Sequence, residues 1–184
     1  MAAKLHSSDQ ASIARAKLRI TGMITAGAPL HTVLDELVRV VENSSPAGVL
    51  ASILVLDEDG RHLRHGAAPS LPAPYNAAID GIEIGPEVGS CGTAAFHNKT
   101  VVVYDIANDP LWANYRDIAL KHRLRACWST PIHGSDSRVL GTFANYYPVV
   151  RDPSPVDQEL TEMVTQIAAK AIEHDRTVRT TPAR

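Results

Sequence analysis

Gly85–Ile132 reads GPEVGSCGTAAFHNKTVVVYDIANDPLWANYRDIALKHRLRACWSTPI, and the order of elements in it decides the fold. Gly85, Gly89 and Gly92 punctuate a loop around Ser90 and Cys91, and a short helix is expected over Cys91–Asn98. The β-branched residues of Thr100–Tyr104 predict a strand. Asp109 followed by Pro110 signals a helix start, with Asp as cap and Pro at the first helical position. Trp112, Tyr115, Ala119 and His122 then share one face of that helix, and Leu124–Ile132 is a second apolar strand.

The flanks complete a sheet. Upstream, Ile13, Lys17 (by its stem), Ile20 and Ile24 recur at helical spacing and predict a helix over Ala11–Thr25. Gly27 and Pro29 break it. Leu30, Val33, Leu34, Leu37 and Val41 mark a second helix ending near Asn43. Val49–Leu56 is apolar except for Ser52, the mark of a strand covered on both faces. The turn Asp57-Glu58-Asp59-Gly60 and a strand over Arg61–Ala67 complete a hairpin. Pro69, Pro72 and Pro74 mark a connection, with a short helix at Tyr75–Ile79. Downstream, Val139–Tyr147 is a strand joined to Leu124–Ile132 through Gly134-Ser135-Asp136. Ser154-Pro155-Val156-Asp157 opens a last helix as a capping box, with the stripe Val156, Leu160, Met163, Ile167 and Ile172. Strands paired through tight turns imply a mainly antiparallel sheet of five to six strands. The terminal helices are expected on one face and the segment Leu71–Tyr115 on the other, an α+β fold. The expected layout is an arm at 1–10, one domain at 11–176 and a flexible tail at 177–184.

Composition narrows the function. A net charge of −2 over 184 residues gives no basic excess for nucleic acid. The longest apolar run, Val49–Leu56, is too short to cross a membrane. No signal peptide is recognisable, and two cysteines without metal-ligand spacing fit a reducing cytoplasm. The eight histidines show no metal-site spacing. Ser90 and Ser129 lack a nucleophile-elbow setting, and Asp57, Glu58 and Asp59 occupy a solvated turn. No catalytic residue, metal ligand or cofactor is therefore assigned.

Two features keep alternatives open. The glycine loop precedes a helix whose exposed N–H groups suit an anion, yet its spacing matches neither nucleotide fingerprint, and a tight turn needing positive φ explains it equally. Cys91 at a helix start is placed for a lowered pKa, whereas a free cysteine is most often a small buried apolar residue.

The motifs GSCGTAA (89–95), DIA-DPLW (105–112) and RACWS-PI (125–132) resemble a branch of the GAF family of small-molecule-sensing domains, over about Leu30–Ile172. The resemblance implies a GAF/PAS-like fold whose middle layer encloses a ligand pocket against the sheet. It implies pocket residues Leu71, Pro72, Tyr75, Ser90, Cys91, Trp112, Ala126 and Trp128. It also implies a non-enzymatic sensor of a small molecule, such as the anion nitrate, acting on a sensor kinase or other regulator in trans, since no output domain follows the last helix here. Free methionine-(R)-sulfoxide reductases share the fold and a Gly-x-Cys-Gly-Thr-Ala segment that Cys91 matches. Their Gly-His-Ile-Ala-Cys-Asp run corresponds to Ala107–Tyr115, which has no cysteine. The cyclic-nucleotide pattern is half missing, and no Cys-His pair for a bilin occurs. Two further readings stand beside the sensor: a thiol-based redox sensor or reductase using Cys91 and Cys127, and a dimerisation module with a vestigial pocket, in which the terminal helices pair as a homodimer. Arg123 and Ser137 depart from the family by standing where turn glycines are common. At Arg123 this implies another helix ending, or strain of about 1 kcal/mol.

Overall fold

The computed structural model describes residues 7–45 and 48–180. Six strands form one sheet in the order β3-β2-β1-β6-β5-β4, each neighbouring pair antiparallel. They are β1 (Leu50–Leu56), β2 (His62–Ala67), β3 (Ile82–Glu83), β4 (Val101–Val103), β5 (Ala126–His133) and β6 (Val139–Tyr147). The central pair, β1 and β6, is buried along almost its whole length, as strands with few polar interruptions must be.

Side chains alternate between two cores. On one face, α1 (Ser7–Thr25), α2 (Leu30–Ser44) and α6 (Pro155–Thr180) pack Leu34, Leu37, Val38, Val164 and Ile172 against Ile53, Ala126, Trp128, Phe143 and Tyr147. On the other, α3 (Ala73–Ile79), α4 (Gly89–His97), a 3-10 turn at Pro110–Trp112 and α5 (Arg116–Lys121) pack Tyr75, Ile79, Cys91, Ala95 and Trp112 against Leu54, Cys127, Ala144 and Tyr146. The expected α+β architecture, with terminal helices opposite the middle segment, is the one observed.

The capping box at α6 forms fully. Ser154 donates from both its N–H and Oγ to Asp157, and the Asp157 N–H donates back to Ser154 Oγ. Asp157 also accepts from the Tyr147 hydroxyl at 2.6 Å and pairs with Arg151 at 2.8 Å, so one carboxylate joins helix start, strand end and loop. Residues 7–10 and 177–180, expected in the arm and tail, continue α1 and α6 as helix. Residues 1–6 and 181–184 lie outside the described residues.

One expectation changes, and an open one is decided. The helix expected from Pro110 through His122 is two pieces. Asp109 caps the first through the Leu111 N–H, as anticipated. Tyr115 then leaves helical geometry, at φ −120° and ψ −6°. Arg116 reaches back to the carbonyls of Ile106 and Asp109, and these bonds stabilise the turn that a straight helix would remove. At the end of α5, Arg123 keeps the left-handed conformation, at φ 61°. The Leu124 N–H bonds the Ala119 carbonyl and the Arg123 N–H bonds that of Leu120, the Schellman pattern. The ending is thus the one glycine would make, and a side chain bears its strain of about 1 kcal/mol. Ser137 does the same at φ 65°.

Candidate functional site

The start of α4 lies over the pocket face of the sheet. Gly89, its first residue, has φ 53°, which turns the chain sharply into the helix and leaves Ser90 and Cys91 buried against β5 and β6. Val88, before it, offers no side-chain cap. Ser90 fixes this end of the helix. Its hydroxyl donates to the Cys127 carbonyl at 3.2 Å and accepts from the Trp112 indole N–H at 3.1 Å. One serine therefore ties α4 to β5 and to the 3-10 turn.

A small cavity lies beside this junction. Leu54 of β1 and Tyr146 of β6 contribute from the sheet, Tyr75 and Ile79 from α3, and Ile82 from β3. Val88, Gly89, Ser90 and Cys91 close one side, and Trp112 and Tyr115 another. The cavity leaves about 20 Å³ for the centres of water-sized molecules, room for one or two such molecules. Among the described residues, no Lys, Arg, His, Asp or Glu lines it. Its polar character comes from hydroxyls, thiols and backbone. Tyr75 and Tyr146 meet edge to face at 5.7 Å, and the Tyr146 hydroxyl lies 3.3 Å from Ser52 Oγ and 3.8 Å from Cys91 Sγ. Burial pushes both tyrosine hydroxyls well above their ordinary range.

The two cysteines meet here. Cys91 and Cys127 belong to one buried cluster, and the neighbouring Cys127 thiol is the largest influence holding the Cys91 thiol down, to about 7. Ser129, Tyr146 and Thr142 add to it against the opposing effect of burial. Burial, then the neighbouring Cys91, raises Cys127 well above the ordinary thiol range. The Ser129 and Thr142 hydroxyls are fully buried and make no hydrogen bond of good geometry, so they act on Cys91 as nearby dipoles rather than as full donors.

Four of the eight expected pocket residues, Tyr75, Ser90, Cys91 and Trp112, surround the cavity. Leu71 is buried in the same core without reaching it, and Pro72 is half-buried where it precedes α3. Ala126 and Trp128 are corrected: they point to the opposite face, into the terminal-helix core. Alternation along β5 gives the pocket face to Cys127 and Ser129 instead. Trp128 stacks at 4.5 Å on Tyr147, beneath the Arg151 guanidinium, and borders a wider surface hollow beside α6. Ile79, Val88, Tyr115, Ser129, Thr142 and Tyr146 were missed as site residues. The strand pairing Cys127↔Tyr146 would have found Tyr146 once Cys127 was placed.

The family profile described as GAF domain matches residues 27–173. The methyl sulfide methyltransferase-associated sensor of Methanosarcina acetivorans is 39% identical over 156 residues, covering 85% of this chain. The match spans only 16% of that longer protein. Among solved structures, the GAF domain of a phosphoenolpyruvate-protein phosphotransferase from Coxiella burnetii superposes with a TM-score of 0.70 at 15% identity, over 91% of this chain and 96% of that one. The free methionine-R-sulfoxide reductase of Neisseria meningitidis, in complex with its substrate, gives 0.67 at 20% identity over 97% and 99%. At these identities the structural likeness carries the fold alone.

Proposed function

The chain belongs to the GAF domain family, and from that premise we propose that it senses a ligand of very few atoms in the cavity beside Cys91 and passes occupancy to a regulatory partner, such as a sensor kinase in trans. The observation that supports this is the cavity itself. It is buried, bordered by Ser90, Cys91 and Tyr146, and too small for a nucleotide or a bilin. A nitrate-sized anion is about the largest ligand that fits. It would rely on backbone N–H groups at the start of α4, because no cationic side chain lines the space.

Transmission has a short path. β1 and β6 border the cavity on one face, through Leu54 and Tyr146, and pack the terminal helices on the other, through Ile53, Phe143 and Tyr147, so a ligand that shifts these strands biases the terminal helices through differential affinity for two states. Leu18 on α1 and Val178 on α6 are 77% and 59% exposed, which supports a homodimer through the terminal helices as the element that is biased. No described helix is long and apolar enough to cross a membrane. Two free cysteines support a reducing, cytoplasmic setting. We assign no catalysis: the Ala107–Tyr115 segment holds no attacking cysteine of the reductase kind.

Native mass spectrometry, followed by a thermal-shift screen of small anions and neutral molecules on the reduced protein, tests this reading. A ligand at a hundredfold its Kd stabilises the folded state by about 2.7 kcal/mol. The rise should shrink in Ser90→Ala. No bound mass and no shift with any ligand of this size would defeat it.

A further inference from the structure

Reversible binding leaves one group of buried atoms without a role. Cys127, Ser129 and Thr142 lie behind Cys91 rather than around the cavity. All three are fully buried, and the two hydroxyls have no good partner. Buried hydroxyls without partners cost about 1–3 kcal/mol each, so their convergence on one sulfur calls for an explanation. Together with the Tyr146 hydroxyl, 3.8 Å from Cys91 Sγ, they set polar groups of β5 and β6 beside that sulfur, while α4 presents the same residue in its first turn. Each arrangement favours negative charge on that sulfur.

We propose that Cys91 is the reactive thiolate of a peroxide-sensing centre and that Cys127 is its resolving thiol. This rests on the cavity being the sensing site, and it names the class of molecule sensed there: a hydroperoxide no larger than hydrogen peroxide. The Cys91 thiolate attacks one peroxide oxygen and the O–O bond breaks, giving Cys91 sulfenic acid and hydroxide. The hydroxide takes the Cys127 proton and becomes water. The Cys127 thiolate then attacks the sulfenic sulfur, the S–O bond breaks, and a disulfide and a second hydroxide result. Two thiol sulfurs lose two electrons in all and the peroxide gains them.

The roles are not interchangeable. Cys91 borders the cavity, has the helix start and the donors, and is held low; Cys127 is sealed behind it and raised by burial. A buried high-pKa thiol is inert until a sulfenic acid forms beside it. The size of the cavity sets selectivity, since room for the centres of only one or two water-sized molecules, about 20 Å³, suits hydrogen peroxide and disfavours bulky organic hydroperoxides.

The test is stoichiometric hydrogen peroxide on the reduced full chain, read by intact mass and thiol alkylation. The expected product has lost two hydrogens and both thiols. Cys127→Ser should stop at a sulfenic acid that a dimedone probe labels, and Cys91→Ser should resist oxidation. Ser129→Ala, which keeps both thiols, should move the alkylation profile of Cys91 to higher pH and slow oxidation about tenfold, the size of one pKa unit. Circular dichroism confirms that each variant folds, and Thr142→Val replaces Ser129→Ala if that one does not. Wild-type thiols that survive excess peroxide, or Cys91→Ser oxidised as fast as wild type, would overturn the proposal. A thermal shift with a small ligand on thiol-inert protein would keep the receptor reading and sink this one. Oxidation at Cys91 without any ligand shift would do the reverse.

Discussion

The two faces of the sheet are made from alternate residues of the same strands, and their chemistry is opposite. Towards α1, α2 and α6 the strands present Ile53, Ala126, Ile132 and Phe143, met by leucines, valines and isoleucines. Towards α3, α4 and α5 they present Ser52, Thr142 and Tyr146, with Cys127 and Ser129 from β5. The first face is a hydrophobic core with two buried polar residues against α6: Asp157, which accepts from Tyr147, and Asn145, which donates to Thr161. The second places hydroxyls and thiols in the interior, where they lower stability unless they are bonded or used. The period of two along a strand thus lets one sheet separate holding the fold from holding the site.

Truncations should break the faces differently. The largest effect belongs to the helix face. Leu37→Ala removes a fully buried side chain of α2 and should cost about 3–5 kcal/mol in denaturant unfolding. Reactivity of the Cys91 thiol in the folded fraction should not change, and a matching loss of reactivity would show that the faces are not independent. Asp157→Ala comes next. It removes the capping box and strands the Tyr147 hydroxyl, for about 2–3 kcal/mol. A cost within experimental error would mean that the Arg151–Asp157 pair gives back in desolvation what its bonds contribute.

The two faces were unequally legible in the sequence. The helix face followed from periodicity: the stripes of α2 and α6 are spaced for one side of a helix, and all but Val156 of the α6 stripe is buried. The pocket face depends on parity within β5, where Ala126-Cys127-Trp128-Ser129 is buried on both sides. With no polar-apolar alternation to set the register, the family resemblance alone gave Ala126 and Trp128 to the pocket, one residue out from Cys127 and Ser129. The break between Pro110–Trp112 and α5 was silent for another reason. It is held by bonds from Trp112 to Ser90 and from Arg116 to Ile106, and contacts so far apart in sequence leave no local pattern. β3, with two residues, is too short for any periodicity to show.

Arg123 joins the two regions, at the turn from α5 into β5, and packs in neither core. Arg123→Gly should stabilise by about 1 kcal/mol, by removing a side chain from the left-handed region. Its lack of effect on Cys91 would serve as a control for changes that act through stability alone. A destabilised Arg123→Gly protein would mean that the guanidinium makes surface contacts worth more than the strain.

The smallest stability effect, and the most telling, belongs to the pocket face. Ser129→Ala removes a buried hydroxyl that has no good partner, and the desolvation cost released offsets the packing lost with it, so the unfolding free energy should stay within about 0.5 kcal/mol of wild type. What should change is its dependence on pH. Cys91 is held below the ordinary thiol value of 9.0, to about 7, chiefly by Cys127 and then by Ser129 and its neighbours. Between those values the folded protein binds fewer protons at Cys91 than the unfolded chain, so stability rises with pH across that window and is lost as pH falls through the folded value. Cys127, raised well above 9.0, acts with the opposite sign and only on the alkaline side. Midpoints of reduced protein measured from neutrality to pH 9 should therefore climb in wild type, climb less in Ser129→Ala and stay flat in Cys91→Ser. A wild-type profile already flat would mean that Cys91 is an ordinary buried thiol. The pocket face would then differ from the helix face in composition alone.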